Sequence, residues 1–216
     1  MVSEKVPALV READRKQEQG DFSSAIKLYD RALKLAPGDP VAWNNRGVAQ
    51  SSLGRYEEAI RSYERAHELR PGYWMAWFNL GKAYQKTGKL EEAVGCYDKS
   101  LDIKPDHFSA MNNKAVALRA LHRNAEALEC YDALLSANPF YELAWQNKGH
   151  LLAAMGISDE AHLCFEMAAM INPGLGRAAA SLPDVRNARR RASRKLPLER
   201  EAAEPDLYED EEKDEE

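Results

Sequence analysis

The sequence has no long hydrophobic run and is poor in cysteine and in aromatic residues. Among its 216 residues, 3 are cysteines and 8% are aromatic. The longest apolar runs have a few residues, whereas a membrane-spanning helix needs about 20. The N-terminus, MVSEKVPALV, has no apolar core of the signal-peptide type. We therefore predict a cytoplasmic protein that has neither a secretory signal nor a membrane contact.

Sequence motifs of the common enzyme classes are also missing. The chain has no Walker A loop, no G-x-S-x-G nucleophile motif and no dinucleotide-binding glycine pattern. Its five histidines include no i, i+4 pair and join no cysteine cluster, so no metal site is indicated. These absences predict a protein that is not an enzyme and that uses no cofactor, metal or small-molecule substrate.

What the sequence does have is a strict repeat of 34 residues. A proline recurs at this spacing, at Pro37, Pro71, Pro105, Pro139 and Pro173. An aromatic residue does the same, at Tyr29, Tyr63, Tyr97, Tyr131 and Phe165. Further columns hold small residues, tryptophan and glycine. Five units therefore fill residues 6–175, with the bounds 6–39, 40–73, 74–107, 108–141 and 142–175.

Each unit is predicted to form two helices. In the second unit, Gly54 ends the first helix because glycine adopts the left-handed cap conformation at little cost. Pro71 ends the second helix, since proline bars the residue before it from helical geometry. We expect small Gly47 to let the two helices approach at Ala59, and Tyr63 to pack against the following unit. A single hairpin cannot bury such a face, but a stack of hairpins can.

These columns resemble the tetratricopeptide repeat, whose pattern is W-x₂-L-G-x₂-Y, then A-x₃-F, then P. The third unit is the most similar, with Trp77, Leu80, Gly81, Tyr84, Ala93, Tyr97 and Pro105. The resemblance implies an all-α, right-handed superhelical solenoid whose first helices line a concave, peptide-binding face. It also implies that Trp43, Trp77 and Trp145 hold the curvature by packing.

Two columns depart from that pattern. The leucine column is charged in four units, at Glu12, Arg46, Lys114 and Lys148, and we expect these side chains to extend past the neighbouring helix into solvent. His122 replaces the turn glycine of the fourth unit, which predicts a strained or looser hairpin there.

A column of asparagines is the first candidate binding feature. It consists of Asn45, Asn79, Asn113 and Asn147. Each amide offers a donor and an acceptor, as a peptide bond requires. Packed helices lie about 8–10 Å apart, and an extended peptide advances about 3.3 Å per residue. The spacing thus suits contact with every third peptide residue, although the same amides also suit bonds between helices.

Side chains near this column are candidates for selectivity. Met75 and Phe78 offer apolar contacts, and Lys82, Lys86 and Arg119 add positive charge. Alternatively, Met75 and Phe78 pack between helices. In related co-chaperones, Lys, Asn and Arg side chains clamp the C-terminal carboxylates of heat-shock chaperones. Of the corresponding positions in units one to three, only Asn45 matches, so such a clamp is not expected here.

The three cysteines, Cys96, Cys130 and Cys164, form another column of the repeat. Successive helices place their Cα atoms about 8–10 Å apart, whereas a disulfide needs less than about 7 Å. Metal sites favour closer pairs such as C-x₂-C. We therefore expect buried, reduced thiols.

The repeat is flanked by other segments. Residues 1–5 are a short N-terminal extension, and residues 176–196 are predicted to be a capping and basic helical segment. The cations of that segment are Arg186, Arg189, Arg190, Arg191, Arg194 and Lys195. Residues 197–216 are predicted to be a disordered acidic tail, because eleven acids and two cations fall within residues 199–216.

The function predicted from these features is a scaffold or adaptor that binds a peptide or protein segment on its concave face. In the alternative, the basic residues 186–195 anchor the chain to nucleic acid through phosphate contacts, and the repeats hold a partner. Two destinations agree with the charge of the acidic tail: the basic segment next to it, and the cations Lys82, Lys86 and Arg119.

Overall fold

The computed structural model describes residues 2–172, and this range is entirely helical apart from its turns. It contains ten α-helices: α1 (Val2–Glu18), α2 (Phe22–Leu35), α3 (Pro40–Ser52), α4 (Tyr56–Leu69), α5 (Trp74–Lys86), α6 (Leu90–Ile103), α7 (Phe108–Ala120), α8 (Asn124–Ala137), α9 (Glu142–Ala154) and α10 (Ser158–Ile171). The predicted capping segment 176–196 with its basic residues and the predicted acidic tail 197–216 lie outside the described residues.

The helices alternate in length with the period of the sequence. From the second unit on, each first helix has 13 residues and each second helix has 14. Their start positions advance in steps of 34, as the columns do. This confirms the predicted all-α solenoid of helix-turn-helix units. Helix α1 begins at Val2, so it includes residues that the sequence had assigned to an N-terminal extension.

Each helix packs against the helices before and after it in the chain. The first helices of neighbouring units also touch, in the pairs α1–α3, α3–α5, α5–α7 and α7–α9. Because the first helices approach each other along the stack, they form the inner, concave side of the curve.

The turn inside each unit uses a left-handed residue. Four of these residues are glycines with φ between 74° and 79°, and the fifth is His122 with φ of 60°. The fourth turn still closes like the others: the Arg123 amide donates to the Leu118 carbonyl at 2.9 Å, as Lys89 does to Tyr84. The hairpin is therefore strained at one residue, and its turn keeps its hydrogen bonds.

The aromatic column forms the core between the two helices of a unit and the next unit. Tyr63 is 2% exposed and packs with Leu80 and Ala83 of the following unit, as predicted. A Cβ atom at Gly47 would lie 2.6 Å from Cε1 of Tyr63. The small column therefore makes room for the aromatic ring, and at Gly81 it also brings the first helix close to the Ala93 carbonyl, the counterpart of Ala59.

The tryptophan column joins each unit to the preceding one. Three indole N–H groups donate to the carbonyl of the repeat proline six residues earlier: Trp43 to Pro37 at 2.9 Å, Trp77 to Pro71 at 3.1 Å and Trp145 to Pro139 at 2.8 Å. This bond fixes the start of a first helix against the end of the helix before it.

Three of the charged residues in the leucine column form ion pairs between units. Each pairs with an aspartate on the preceding second helix: Arg46 with Asp30 at 2.6 Å, Lys114 with Asp98 at 2.6 Å, and Lys148 with Asp132. They were expected to reach solvent. They are instead half-buried, because each is held by an aspartate of the preceding second helix. In each case this aspartate is 16 residues earlier in the chain.

Candidate functional site

A cleft of about 600 Å³ opens on the concave side of the middle units. Helices α3 and α5 supply eight of its eleven lining residues, α4 supplies two tyrosines, and α7 supplies Asn113. The lining residues are Val48, Ser51, Ser52, Tyr56, Tyr63, Asn79, Lys82, Ala83, Gln85, Lys86 and Asn113. The first helices of three consecutive units thus combine into one surface.

The structure brings together four of the nine residues predicted to bind peptide. Asn79, Lys82, Lys86 and Asn113 line the cleft. The other five, namely Asn45, Asn147, Met75, Phe78 and Arg119, are not among its lining residues.

Most of the asparagine column is occupied by bonds between units. The amide nitrogen of Asn79 donates to Oδ1 of Asn44 at 3.1 Å, and that of Asn147 donates to Oδ1 of Asn112 at 2.9 Å. In both pairs the acceptor lies 35 residues earlier, on the preceding first helix. These amides therefore tie neighbouring units together. One of the two N–H donors of each amide is therefore used within the protein.

Asn45 is used in the same way at the start of the array. Its amide nitrogen donates to Oδ1 of Asp14 at 3.2 Å, and its Oδ1 accepts from Asn44 at 3.1 Å. Both ends of this side chain are thus engaged within the protein.

Asn113 is the exception, because Phe78 stands where Asn44 and Asn112 supply an acceptor in other units. A phenyl ring cannot accept the amide. Asn113 instead lies beside the Tyr97 hydroxyl, where it partly opposes the rise in the Tyr97 pKa that burial causes. Among the four asparagines of the column, Asn113 therefore lacks the bond to the preceding first helix, and it lines the cleft.

Phe78 is a packing residue. Its ring meets the His107 ring edge-on at a centroid distance of 4.5 Å and the Tyr97 ring at 6.1 Å. The Lys82 ammonium lies 5.3 Å from the centre of the Phe78 ring. The Phe78 ring thus packs against the Lys82 side chain. Met75, in contrast, lies at the start of α5 and is 38% exposed.

The cleft is positively charged. Lys82 and Lys86 are one helical turn apart on α5, and none of the described residues that line the cleft is acidic. Within residues 2–172, neither lysine forms an ion pair. This arrangement favours a ligand that carries carboxylates.

A row of buried tyrosine hydroxyls extends beneath the concave face. Tyr29 donates to Oδ1 of Asp14 at 2.5 Å, and Tyr97 donates to Oε1 of Gln85 at 2.8 Å. Tyr63 shares a hydrogen bond with Ser51 at 3.2 Å. In the first three units, then, each hydroxyl has a partner on the first helix of its own unit.

The fourth hydroxyl of this row has no such partner. Tyr131 is fully buried, and no described residue bonds its hydroxyl. Arg119 occupies the column of Ser51 and Gln85, and it makes no hydrogen bond to this hydroxyl. Burial raises the pKa of Tyr131 to about 12, with the Arg119 charge opposing.

The sequence reasoning missed several residues of the cleft. Ser51 and Gln85 line it, as do Tyr56 and Tyr63 from the second helix of unit two. One signal was available: Ser51, Gln85 and Arg119 share a column one helical turn beyond the column of Val48 and Lys82. Arg119 therefore continues the same inner face toward the C-terminal units.

The cysteine column is internal. Cys96 and Cys164 are buried, Cys130 is half-buried, and all three are free thiols. Burial raises the pKa of Cys96 to about 12. Residues 2–172 hold no group of three His, Cys, Asp or Glu side chains placed to bind a metal. None of the described helices is long and apolar enough to span a membrane.

Comparison with known families agrees with this architecture. Two family models, both described as tetratricopeptide repeat, match residues 10–73 and 74–107. Among curated proteins, no sequence matches this chain.

Solved structures share the fold over most of the chain. MamA from Desulfovibrio magneticus RS-1 has a TM-score of 0.74 and 17% identity, covering 79% of this chain and 96% of that chain. YrrB, a TPR protein with an unusual peptide-binding site, has a TM-score of 0.68 and 20% identity, with 81% and 91% covered. The first TPR of Spaghetti (RPAP3), bound to the HSP90 peptide SRMEEVD, has a TM-score of 0.55 and 29% identity, with 56% and 95% covered.

Proposed function

Because the chain is a tetratricopeptide repeat protein, we propose that it is a non-enzymatic scaffold whose concave face binds a segment of a partner protein. Proteins of this fold mediate binding to proteins and peptides, as the peptide-binding site of YrrB and the peptide complex of RPAP3 illustrate. The chain would serve as an adaptor or an assembly factor.

The observation that carries this proposal is the cleft built by α3, α5 and α7. It is open, continuous across three units and lined by donors, acceptors and apolar groups together. Such a mixture suits a peptide, whose backbone needs hydrogen bonds and whose side chains need apolar contacts. A buried, enclosed pocket would instead favour a small molecule.

We assign separate roles to the residues of this cleft. Asn113 contacts the ligand backbone with an amide that makes no bond to the preceding first helix, and Asn79 contributes its carbonyl oxygen, since its nitrogen bonds Asn44. Lys82 and Lys86 select ligand segments with acidic side chains. Val48 and Tyr56 give apolar contacts at the other wall.

The ligand of RPAP3 is not carried over to this chain. Co-chaperone repeats hold a chaperone carboxylate with a set of Lys, Asn and Arg side chains, and only Asn45 matches that set here. The structure engages both ends of Asn45 within the protein. The proposed ligand is therefore an internal acidic segment rather than a chaperone C-terminus.

A charge-reversal experiment tests the site. The full chain is immobilised, and proteins bound from native lysate are quantified for wild type and for Lys82→Glu/Lys86→Glu. We expect the specifically bound proteins to fall at least about fivefold, because two attractions become repulsions. The matched control is Lys27→Glu/Lys99→Glu, which makes the same charge change on exposed outer faces of α2 and α6.

Equal recovery by wild type and the cleft variant would contradict the proposal. So would an equal loss in the cleft and control variants, since that would indicate a response to net charge alone. Circular dichroism of each variant establishes that the helices are retained.

A second pair of variants separates ligand contact from framework. Asn113→Ala removes an amide that makes no bond to the preceding first helix, and Asn147→Ala removes one that does. We expect Asn113→Ala to reduce binding with little loss of stability, and Asn147→Ala to do the reverse. If the two variants behave alike, the assigned roles are wrong.

A further inference from the structure

We propose that the acidic C-terminal residues 199–216 of the chain itself bind the basic strip of the groove, formed by Lys82, Lys86 and Arg119, and compete there with the partner segment. This inference rests on the proposed function, because it assigns a regulator to the same site. It follows from the chemistry of the strip and from the composition and length of the chain beyond Asn172.

The strip is a line of cations on one inner face. Lys82 and Lys86 line the cleft on α5, and Arg119 on α7 occupies the column of the cleft residues Ser51 and Gln85. None of the described residues that line the cleft is an aspartate or a glutamate, so the lining supplies no carboxylate to these cations. A segment with closely spaced acids would neutralise them together.

The chain carries a segment of matching composition. Residues 206–216 contain eight acids and one cation, and Leu207 and Tyr208 are the bulky apolar residues among them. The cleft offers Val48, Tyr56 and Ala83 as apolar contacts beside its lysines. The tail segment and the cleft thus each combine charged groups with apolar groups.

The length of the chain permits this contact. Residues 173–198, which connect the last described helix to the acidic residues, are 26 residues, and they extend to about 90 Å at most. From α10 to α5 the path crosses five helix spacings of about 8–10 Å each. The segment therefore reaches the cleft with ample slack.

The basic segment 186–195 is the rival destination, and its charge is too small. It holds six cations, whereas residues 199–216 have a balance of eleven acids and two cations, or −9. Pairing the two would leave −3, so acids remain for the groove.

Zero-length cross-linking of the full chain tests the contact directly. A water-soluble carbodiimide joins a lysine amine to a carboxylate only where the two groups touch. We expect the monomer to contain links from Lys82 or Lys86 to carboxylates of residues 199–216, and we expect about 0.5 M salt to suppress them by screening. Tail links to the outer Lys27 and Lys99 at the same frequency as to Lys82 and Lys86 would overturn the proposal.

A competition measurement tests whether the tail weakens the binding of another acidic segment. The probe is a fluorescein-labelled peptide of residues 199–216, and its affinity is measured by anisotropy for the wild-type chain and for Glu209→Gln/Asp210→Asn/Glu211→Gln/Glu212→Gln. The variant should bind the probe at least about fivefold more tightly, because its own tail competes less. Equal affinity would refute the competition.

Two further variants on that background locate the probe. Lys82→Gln/Lys86→Gln should abolish the gain, whereas Lys27→Gln/Lys99→Gln should retain it. If the gain survives the loss of Lys82 and Lys86, the probe binds the basic segment 186–195 and the proposal is wrong.

These results are independent of the test of the proposed function. Cross-links to Lys82 and Lys86, together with unchanged recovery of lysate proteins by Lys82→Glu/Lys86→Glu, would contradict the scaffold function and leave the tail contact intact. Lost recovery of lysate proteins without cross-links to Lys82 or Lys86 would support the scaffold function and contradict the tail contact.

Discussion

At the scale of single residues, the repeat is informative because each position has four counterparts in the same chain. A residue that differs from its column is either compensated by a neighbour or strained. His122 is strained, since it adopts φ of 60° where the other four units have glycine. Ser62 is compensated, since it belongs to a buried polar network where other units have leucine or cysteine.

We predict that His122→Gly stabilises the protein by about 1 kcal/mol. A side chain in the left-handed region costs about 1–2 kcal/mol, and part of the gain is offset by the greater freedom of glycine in the unfolded chain. Urea denaturation measures the change. Gly88→His is the converse and should destabilise by a similar amount, and a destabilised His122→Gly would contradict the argument.

Ser62→Ala should destabilise by about 1–2 kcal/mol, because a buried acceptor loses its donor. The Ser62 hydroxyl bonds Oε1 of Gln50 at 2.7 Å, and both side chains are fully buried. Adding Gln50→Leu should recover most of the loss, since units four and five have leucine in that column. Chemical denaturation of the single and double variants provides the check, and additive losses would speak against it.

At the scale of helices, the contacts between units are polar at their edges and apolar at their centre. The tyrosine column packs into the next unit, while the tryptophan–proline bonds and the ion pairs lie at the rims. Lys114 illustrates the second kind. Burial lowers its pKa, but the Asp98 hydrogen bond and nearby acids outweigh this effect, and the net shift of the pKa is upward.

We predict a coupling free energy of about 0.5–1 kcal/mol between Lys114 and Asp98, measured by a double-mutant cycle with Lys114→Met and Asp98→Asn. The control is the pair Lys99–Asp102, whose side chains are 63% and 69% exposed and 3.6 Å apart. That exposed pair should show almost no coupling. Similar coupling free energies for the two pairs would mean that the ion pair between Lys114 and Asp98 does not stabilise the contact between units.

At the scale of the whole molecule, the array depends on buried tyrosines and thiols that must stay protonated. Burial raises the pKa of Tyr63 and of Cys96 to about 12, and it is also the largest cause of the raised pKa of Tyr84, to about 12. An acid with a raised folded-state pKa keeps its proton while the unfolded chain releases it. The unfolded state then binds fewer protons, so stability falls as pH rises.

We therefore predict that the urea midpoint decreases steadily from about pH 9 to about pH 11, the range that begins where unfolded thiols and phenols ionise. The phenolate absorbance of the buried tyrosines should appear together with loss of helix, because these side chains ionise only on unfolding. A midpoint that stays constant over this range would contradict the burial of these groups.

The sequence alone determined the number of units, the two-helix form of each and the residues at each turn. This was possible because helix periodicity, turn glycines and terminal prolines act over a few residues, and each signal recurs every 34 residues. The aromatic core followed from the same columns. The positive character of the cleft at Lys82 and Lys86 was also visible in the sequence.

Only the tertiary structure decided which side chains remain available to a ligand. Asn79, Asn113 and Asn147 are equivalent in sequence, yet Asn113 alone faces Phe78 in place of an acceptor 35 residues earlier. Likewise, the cations Arg46, Lys114 and Lys148 read as solvent-facing until the aspartates of the preceding helices lie beside them. Such contacts depend on the angle by which one unit is rotated against the next. The pattern of residues within a single unit does not determine that angle.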